Sequence, residues 1–363
     1  MVNHPHLNLE IHMQLKRLAI AVLAAAPLLA AAQSNVTIYG VLDAALSKED
    51  TGAVNGKKTL QVNSGSQSSS RFGFRGTEDL GGGLKAIFNL EAGYALDTGV
   101  GDSSLFGRRS VVGLESQYGN LTLGREYSPI AAVAAASDPL GQGTYGSNLS
   151  AFGSTGRLTR RLSNSVNYKS PAFSGFTMLA AYSAGEQASP VLPTTAGQPV
   201  TADSLNLRGI AGQYTNGGLY LGLGYHEYNR LAIGKDKEMA FGAAYKFGAF
   251  EVKGGYLVAD PTGANNKFEQ FNVGGSYTMD ANKFFATYQQ NKIEAGGGKG
   301  NALAVAYTYN LSKRTNLYAS YAKMDNNNTA AFGLNSSSTN VTPPATAFGS
   351  DPSAITLGVR HSF

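Results

Sequence analysis

A chain of 363 residues, 15% of them charged, with 45 glycines, 19 tyrosines and neither cysteine nor tryptophan, can hold two soluble domains or one large closed sheet. That much glycine argues against a helix-rich interior, where each one costs about 1 kcal/mol relative to alanine. The formal charge of +5 is modest, and its scattered lysines and arginines lack the clustering of a nucleic-acid surface.

The first element is at the amino end. Lys16 and Arg17 precede an apolar run from Leu18 to Ala32, which closes on Ala30-Ala31-Ala32 before Gln33. A basic start, a short apolar stretch and small residues at its end describe a secretory leader, and the run is too short to span a bilayer comfortably. Cleavage is expected after Ala32, so that residues 1–32 are leader and 33–363 the mature domain. Residues 1–12 read as an upstream extension with Met13 as the natural start, and His4, His6 and His12 then carry no metal. Removing Lys16, Arg17 and Glu10 leaves 27 basic against 23 acidic residues.

Beyond Gln33 the pattern is alternation with period two, which places successive side chains on opposite faces of a sheet. Val36, Ile38 and Leu42 oppose Thr37, Tyr39 and Asp43. Phe72 and Phe74 alternate with Arg71, Gly73 and Arg75, while Leu84, Phe88 and Leu90 oppose Lys85, Asn89 and Glu91. At the end, Ile355, Leu357, Val359, His361 and Phe363 share one face. Segments of this kind begin near Asn35, Thr59, Leu84, Leu105, Leu121, Ser163, Phe176, Leu205, Leu219, Glu238, Phe250, Phe268, Lys283, Ala302, Asn316 and Ala354. They number about sixteen, an even count within the range of outer-membrane barrels.

Tight-turn residues recur at Asp79–Gly82, Tyr118–Asn120, Thr215–Gly218, Phe247–Ala249 and Met279–Asn282, as hairpins require. Longer polar stretches (Lys48–Lys58, Gly185–Asp203 and Met324–Ser353) lie between them, and short turns on one rim with long loops on the other are how membrane barrels are built. Alternation alone fits a soluble sandwich equally well. The leader, the strand count and the tyrosines near segment ends (Tyr182, Tyr225, Tyr245, Tyr256, Tyr277, Tyr309 and Tyr321) favour an all-β transmembrane antiparallel barrel with apolar side chains toward lipid and polar ones toward water.

The segments Gln33–Asp43, Ser70–Lys85, Leu105-Phe-Gly-Arg108, Leu121-Thr-Leu-Gly-Arg125, Asn164–Tyr168, Ser170–Phe176 and Gly358–Phe363 resemble the trimeric general-diffusion porins of Gram-negative bacteria, in the neisserial and β-proteobacterial branch. The resemblance covers the whole mature chain. It implies a sixteen-stranded barrel in the outer membrane, a homotrimer, surroundings of lipid and lipopolysaccharide, and a terminal Phe363 read by the barrel-insertion machinery. It further implies a third external loop folded inward, a position occupied here by Glu126–Leu162.

A pore needs a radius and a field rather than a catalyst, and rings of arginine favour anions. The expected constriction combines Arg71, Arg75, Arg108, Arg160 and Arg161, facing Glu126 and Asp138. Arg71 and Arg75 are drawn from strand parity and Arg108 from the resemblance, whereas the faces of Arg108, Arg109 and Arg125 stay open because one bulge would exchange them. No cofactor is expected. Gly141–Gly146 fits a dinucleotide fingerprint and Gly296–Gly300 part of a phosphate loop, yet neither sits between a strand and a helix. The mature chain holds only His226 and His361, a poor basis for a nucleophile and base in reach of each other. These readings converge on a passive channel for small hydrophilic solutes and ions, moderately anion-selective. A channel specific for one small anion or sugar is the alternative, marked by saturable block of the current by a single solute.

Overall fold

The computed structural model describes residues 35–363 except 57, 153–156, 186–205, 231–233 and 263–265. The expected leader, and most of the Gly185–Asp203 stretch, lie outside the described residues. The strands are β1 (Asn35–Asp50), β2 (Lys58–Ser64), β3 (Arg71–Gly81), β4 (Leu84–Gly93), β5 (Arg109–Ser116), β6 (Gly119–Tyr127), β7 (Arg161–Lys169), β8 (Phe176–Ser183), β9 (Leu207–Asn216) and β10 (Leu219–Arg230). They continue with β11 (Gly234–Phe247), β12 (Phe250–Asp260), β13 (Phe268–Met279), β14 (Asn282–Ile293), β15 (Gly298–Asn310) and β16 (Thr315–Asn326). Two short strands in the last loop, β17 (Leu334–Asn335) and β18 (Asn340–Val341), precede β19 (Ser353–Ser362).

Each long strand pairs antiparallel with its neighbour in sequence, and β1 pairs with β19 to close the sheet. The outer end of β1 pairs with β2 and its inner end with β3. These two are therefore halves of one barrel strand, and the sheet is a sixteen-strand barrel. The single strand expected from Thr59 is broken at Gly65–Ser70. Amides that leave a ladder need other acceptors, and the buried Asp43 supplies them: Oδ1 accepts from Ser66 N (3.1 Å) and Oδ2 from Ser68 N (3.0 Å). A second difference lies at Leu105. Ser104–Gly107 closes a turn (Gly107 N to Ser104 O, 3.1 Å), so β5 begins at Arg109 and Arg108 belongs to the preceding loop.

The faces settle the choice between sandwich and barrel. The outward row is apolar and exposed: Ile38 64%, Leu303 63% and Leu357 58%. The inward row is polar and covered, with Asp43, Asn167, Gln270, Asn272, Asn291 and Thr356 all buried. This inverts the pattern of a soluble protein and is what a lipid-facing barrel requires. Of the seven tyrosines singled out, all but the half-buried Tyr225 are exposed. Tyr245, Phe247, Phe250 and Tyr277 form a continuous aromatic run with ring centroids 5.9, 5.7 and 4.7 Å apart, at the depth where a membrane barrel carries a girdle. His361 faces outward, bonded to Thr315 Oγ1 at 2.8 Å.

Candidate functional site

The chain leaves β6 at Tyr127 and returns to the wall at Arg161. What the sequence presents as a structureless loop contains a helix, α1 (Pro129–Ser137), started by Ser128, whose Oγ accepts from Ala131 N at 3.3 Å, and by Pro129 at its first turn. A 3₁₀ turn follows at Asn148–Ala151. α1 holds no charge, and Ile130, Val133 and Ala134 are fully buried because it lies flat on the inner faces of β9–β12.

Glycines on that wall allow the approach. A Cβ on Gly224 would lie 3.1 Å from Ile130 Cγ2, one on Gly222 3.1 Å from Val133 Cγ1, and one on Gly242 2.6 Å from Ser137 Cβ. Gly222, Gly242 and Gly255 are direct register partners across β10, β11 and β12, a smooth strip as wide as the helix seat.

One buried pair anchors both ends of the loop. His226, fully buried, accepts from Ile130 N through Nε2 at 3.3 Å. An accepting Nε2 leaves the proton on Nδ1, which faces Glu238 Oε2 at 3.0 Å. Glu238 in turn accepts from Thr159 N (3.1 Å) and Thr159 Oγ1 (2.8 Å) at the loop's far end. His226 thus faces inward beneath α1 and serves as an anchor of the loop. Glu227 sits elsewhere, paired with Lys235 at 2.7 Å. Removing the imidazole leaves the buried Ile130 N–H and one oxygen of Glu238 short of a partner, at about 1–3 kcal/mol each. His226→Ala is therefore expected to loosen the loop, measured as higher open-channel current noise and faster proteolysis between α1 and β7 in barrels that still assemble.

The expected charged residues divide into two groups. Arg71, Arg108, Arg160 and Arg161 converge. Arg108 Nε meets Glu91 Oε1 at 2.7 Å, and Arg71 Nε meets Glu91 Oε2 at 3.6 Å. Arg108 Nη2 and Arg161 Nη2 both donate to Tyr127 OH, at 3.2 and 2.9 Å. The Arg160 and Arg161 guanidiniums also lie 5.8 and 4.6 Å from the centre of the Tyr127 ring, and cation–π attraction helps hold like charges together. Two guanidiniums thus share the Glu91 carboxylate, and Tyr127 joins Arg108 to Arg160 and Arg161. The Nε groups of Arg160 and Arg161 are buried without a hydrogen-bond partner among the described residues. Burial, reinforced by Arg161, pushes the Arg160 guanidinium down to about 10.

The others lie apart. Arg75 stacks over Tyr39 at 5.2 Å. Glu126 is tied to Arg109 Nη2 at 2.5 Å. Asp138 is 1% exposed and turned into the loop, where Oδ2 accepts from Gln142 N at 2.5 Å and Oδ1 from Asn148 N at 3.4 Å. Burial pushes its carboxyl up to about 6, against the pull of those amides. The expected face-off between the arginines and Glu126 with Asp138 is therefore replaced by one with Glu91. Of the arginines left open, Arg109 joins Glu126, while Arg125 pairs in register with Ser110 and donates to Gly107 O and Ser163 Oγ, both at 2.6 Å.

The sequence model of Gram-negative porins matches residues 19–329. This chain belongs to the Gram-negative porins. The porin is 30% identical to an outer membrane porin protein of Bordetella pertussis over 95% of its own length and 99% of that protein's. It is 31% identical to outer membrane porin protein 32 of Delftia acidovorans with the same coverage. Among solved structures, an anion-selective porin from Comamonas acidovorans superposes with a TM-score of 0.78 at 28% identity, covering 91% of this chain and all of that one. A Vibrio cholerae outer membrane protein in its trimer form shares the fold, with a TM-score of 0.65 at 17% identity. The porin is thus an outer-membrane channel protein and not an enzyme.

Sequence reasoning missed Glu91 and Tyr127 as members of the cluster. Strand parity placed Glu91 on the polar face, which was its available signal. Tyr127 had none, because its role depends on where the loop's return brings Arg160 and Arg161.

Proposed function

We propose that this porin passes small hydrophilic solutes and ions with moderate preference for anions, through a constriction made by Arg71, Arg108, Arg160 and Arg161 with Arg75 nearby. The carrying observation is the excess of guanidiniums over the single Glu91 carboxylate, together with buried N–H donors left unspent on Arg160 and Arg161. Fixed positive charge at a narrow point raises the local anion concentration and repels cations. Reversal potentials across a planar bilayer under a potassium chloride gradient test this, and a cation-preferring sign overturns it. Glu126 and Asp138, bound to Arg109 and to loop amides, act in this reading by holding the loop's shape.

The working unit is proposed to be a homotrimer in contact with outer-membrane lipid and lipopolysaccharide through the apolar outward row. Residues 1–32 are proposed as the leader, with 1–12 upstream of the natural start. Amino-terminal sequencing of the mature protein is expected to begin at Gln33.

Phe363 is the proposed insertion signal. Its backbone exchanges two hydrogen bonds with Gly40, both 3.1 Å, and its ring fills the space a Cβ on Gly40 would need. Phe363→Ala keeps the backbone bonds while removing the ring. The expected result is less assembled porin in outer-membrane fractions at equal synthesis, and unchanged yield counts against the role.

A further inference from the structure

Outside the arginine cluster, a cavity of about 470 Å³ opens between the inward loop, the β14–β15 turn and the long β16–β19 loop. Its volume falls within the range of small-molecule sites. One wall is apolar. Phe268 (3% exposed) packs 6.2 Å from Phe332 by ring centroids, Ile293 and Ala331 extend the surface, and Phe348 stands 59% exposed on it. The one charged lining residue is Arg157, whose guanidinium carbon lies 6.0 Å from the Phe268 ring centre. Among the described residues, no hydrogen bond or ion pair engages that guanidinium. No aspartate or glutamate lines the cavity. Nearby Glu269 is held by Lys267 at 3.0 Å, and Glu294 lies outside the lining.

An unpaired cation set on an aromatic wall is complementary to a molecule with one negative end and one compact apolar end. Inorganic ions would use the guanidinium and gain nothing from three phenylalanines. Neutral apolar molecules would gain nothing from the guanidinium, which stands exposed at the cavity's edge. We infer that this cavity is a binding site for monocarboxylates with an aromatic or short branched apolar tail, the carboxylate on Arg157 and the tail against Phe268, Phe332 and Phe348. The site is separate from the constriction. It would raise the residence of such solutes beside the inward loop, a preference that charge selectivity alone does not give.

The probe is benzoate, with acetate and benzyl alcohol as its two halves, titrated calorimetrically into the porin in lipid nanodiscs against empty nanodiscs. Saturable benzoate binding is expected, with each half-probe about tenfold weaker or more, since one charge-assisted hydrogen bond or one buried ring is each worth a factor of that order. Arg157→Gln should weaken benzoate about tenfold and leave benzyl alcohol little changed. Phe348→Ala should weaken benzoate and benzyl alcohol but spare acetate. Both variants are read only in barrels with wild-type heat-modifiable migration, and Phe348 is exposed enough for its loss to leave the fold intact. Benzoate binding no tighter than acetate, or unaltered in both variants, overturns the proposal. So does benzoate binding that vanishes in Arg71→Gln/Arg160→Gln and persists in Arg157→Gln, because it then belongs to the constriction. Reversal potentials in potassium chloride are an independent measurement, so failure of anion selectivity and failure of this site are told apart.

Discussion

Arg71→Glu combined with Arg160→Glu is expected to reverse the sign of the reversal potential, converting an anion-preferring porin into a cation-preferring one. In the wild type, Glu91 answers two of the four guanidiniums, Arg108 at 2.7 Å and Arg71 at 3.6 Å, while Arg160 and Arg161 lie against Tyr127. Each substitution changes the local charge by two, so the pair turns a net excess of three positive charges into one negative. A unit charge about 4 Å from a passing ion contributes about 1 kcal/mol in bulk water and about 4 kcal/mol at the effective dielectric of a protein surface. A water-filled pore lies toward the lower figure, and about 1.4 kcal/mol is a factor of ten. The chloride-to-potassium permeability ratio should therefore fall by roughly tenfold or more. The effect should be largest in dilute salt, because the screening length shrinks from about 10 Å at 0.1 M to about 3 Å at 1 M. Arg75→Glu, on a guanidinium stacked over Tyr39, whose hydroxyl bonds Glu91 at 3.0 Å, should move the ratio less, since the tyrosine stands between it and the cluster. An anion-preferring double variant would show that the filter lies elsewhere.

The strands and their faces were readable because a period of two carries both the element and its orientation, so that Ile355, Leu357 and Val359 disclose the outward row without knowledge of any partner strand. The break at Gly65–Ser70 was not, since it depends on Asp43 reaching across from the neighbouring strand to three successive amides. α1 was hidden for a related reason. Its sequence PIAAVAAAS has no polar face to reveal a helical period, and the surface that makes such a helix stable is a glycine strip (Gly222, Gly242 and Gly255) on strands much further along the chain. The constriction was half legible. Parity placed Arg71, but Asp138 and Glu126 were assigned by sign of charge alone, and a loop's fold decides whether a carboxylate meets an arginine across the pore or an amide in its own turn. In Asp138 the amides of Gln142 and Asn148 prevailed.

That glycine strip makes the pore's bore depend on residues that carry no charge and touch no solute. Gly242→Leu is expected to raise single-channel conductance and admit larger solutes. Any side chain at Gly242 begins 2.6 Å from Ser137 Cβ and 3.2 Å from Val133 O, so it and the docked helix compete for one space. Overpacking of this kind costs about 1–3 kcal/mol, which falls on the loop's docking because the barrel is held by ladders on both sides of β11. By the same figures the undocked population grows roughly five- to hundredfold. Once off the wall, a nine-residue helix has too few turns to persist in water, so the constriction opens as a unit and is not merely displaced. The His226–Glu238 anchor resists this at the loop's two ends, and Gly242→Leu with His226→Ala should exceed either change alone. Gly212→Ala is the control, since a Cβ there meets nothing within 4 Å and should leave conductance unchanged. Liposome swelling with sugars of increasing size would register the wider bore. Unaltered conductance and an unaltered size limit in Gly242→Leu would mean that the helix finds its seat without the strip, and that the pore's radius is set by some other contact of the loop.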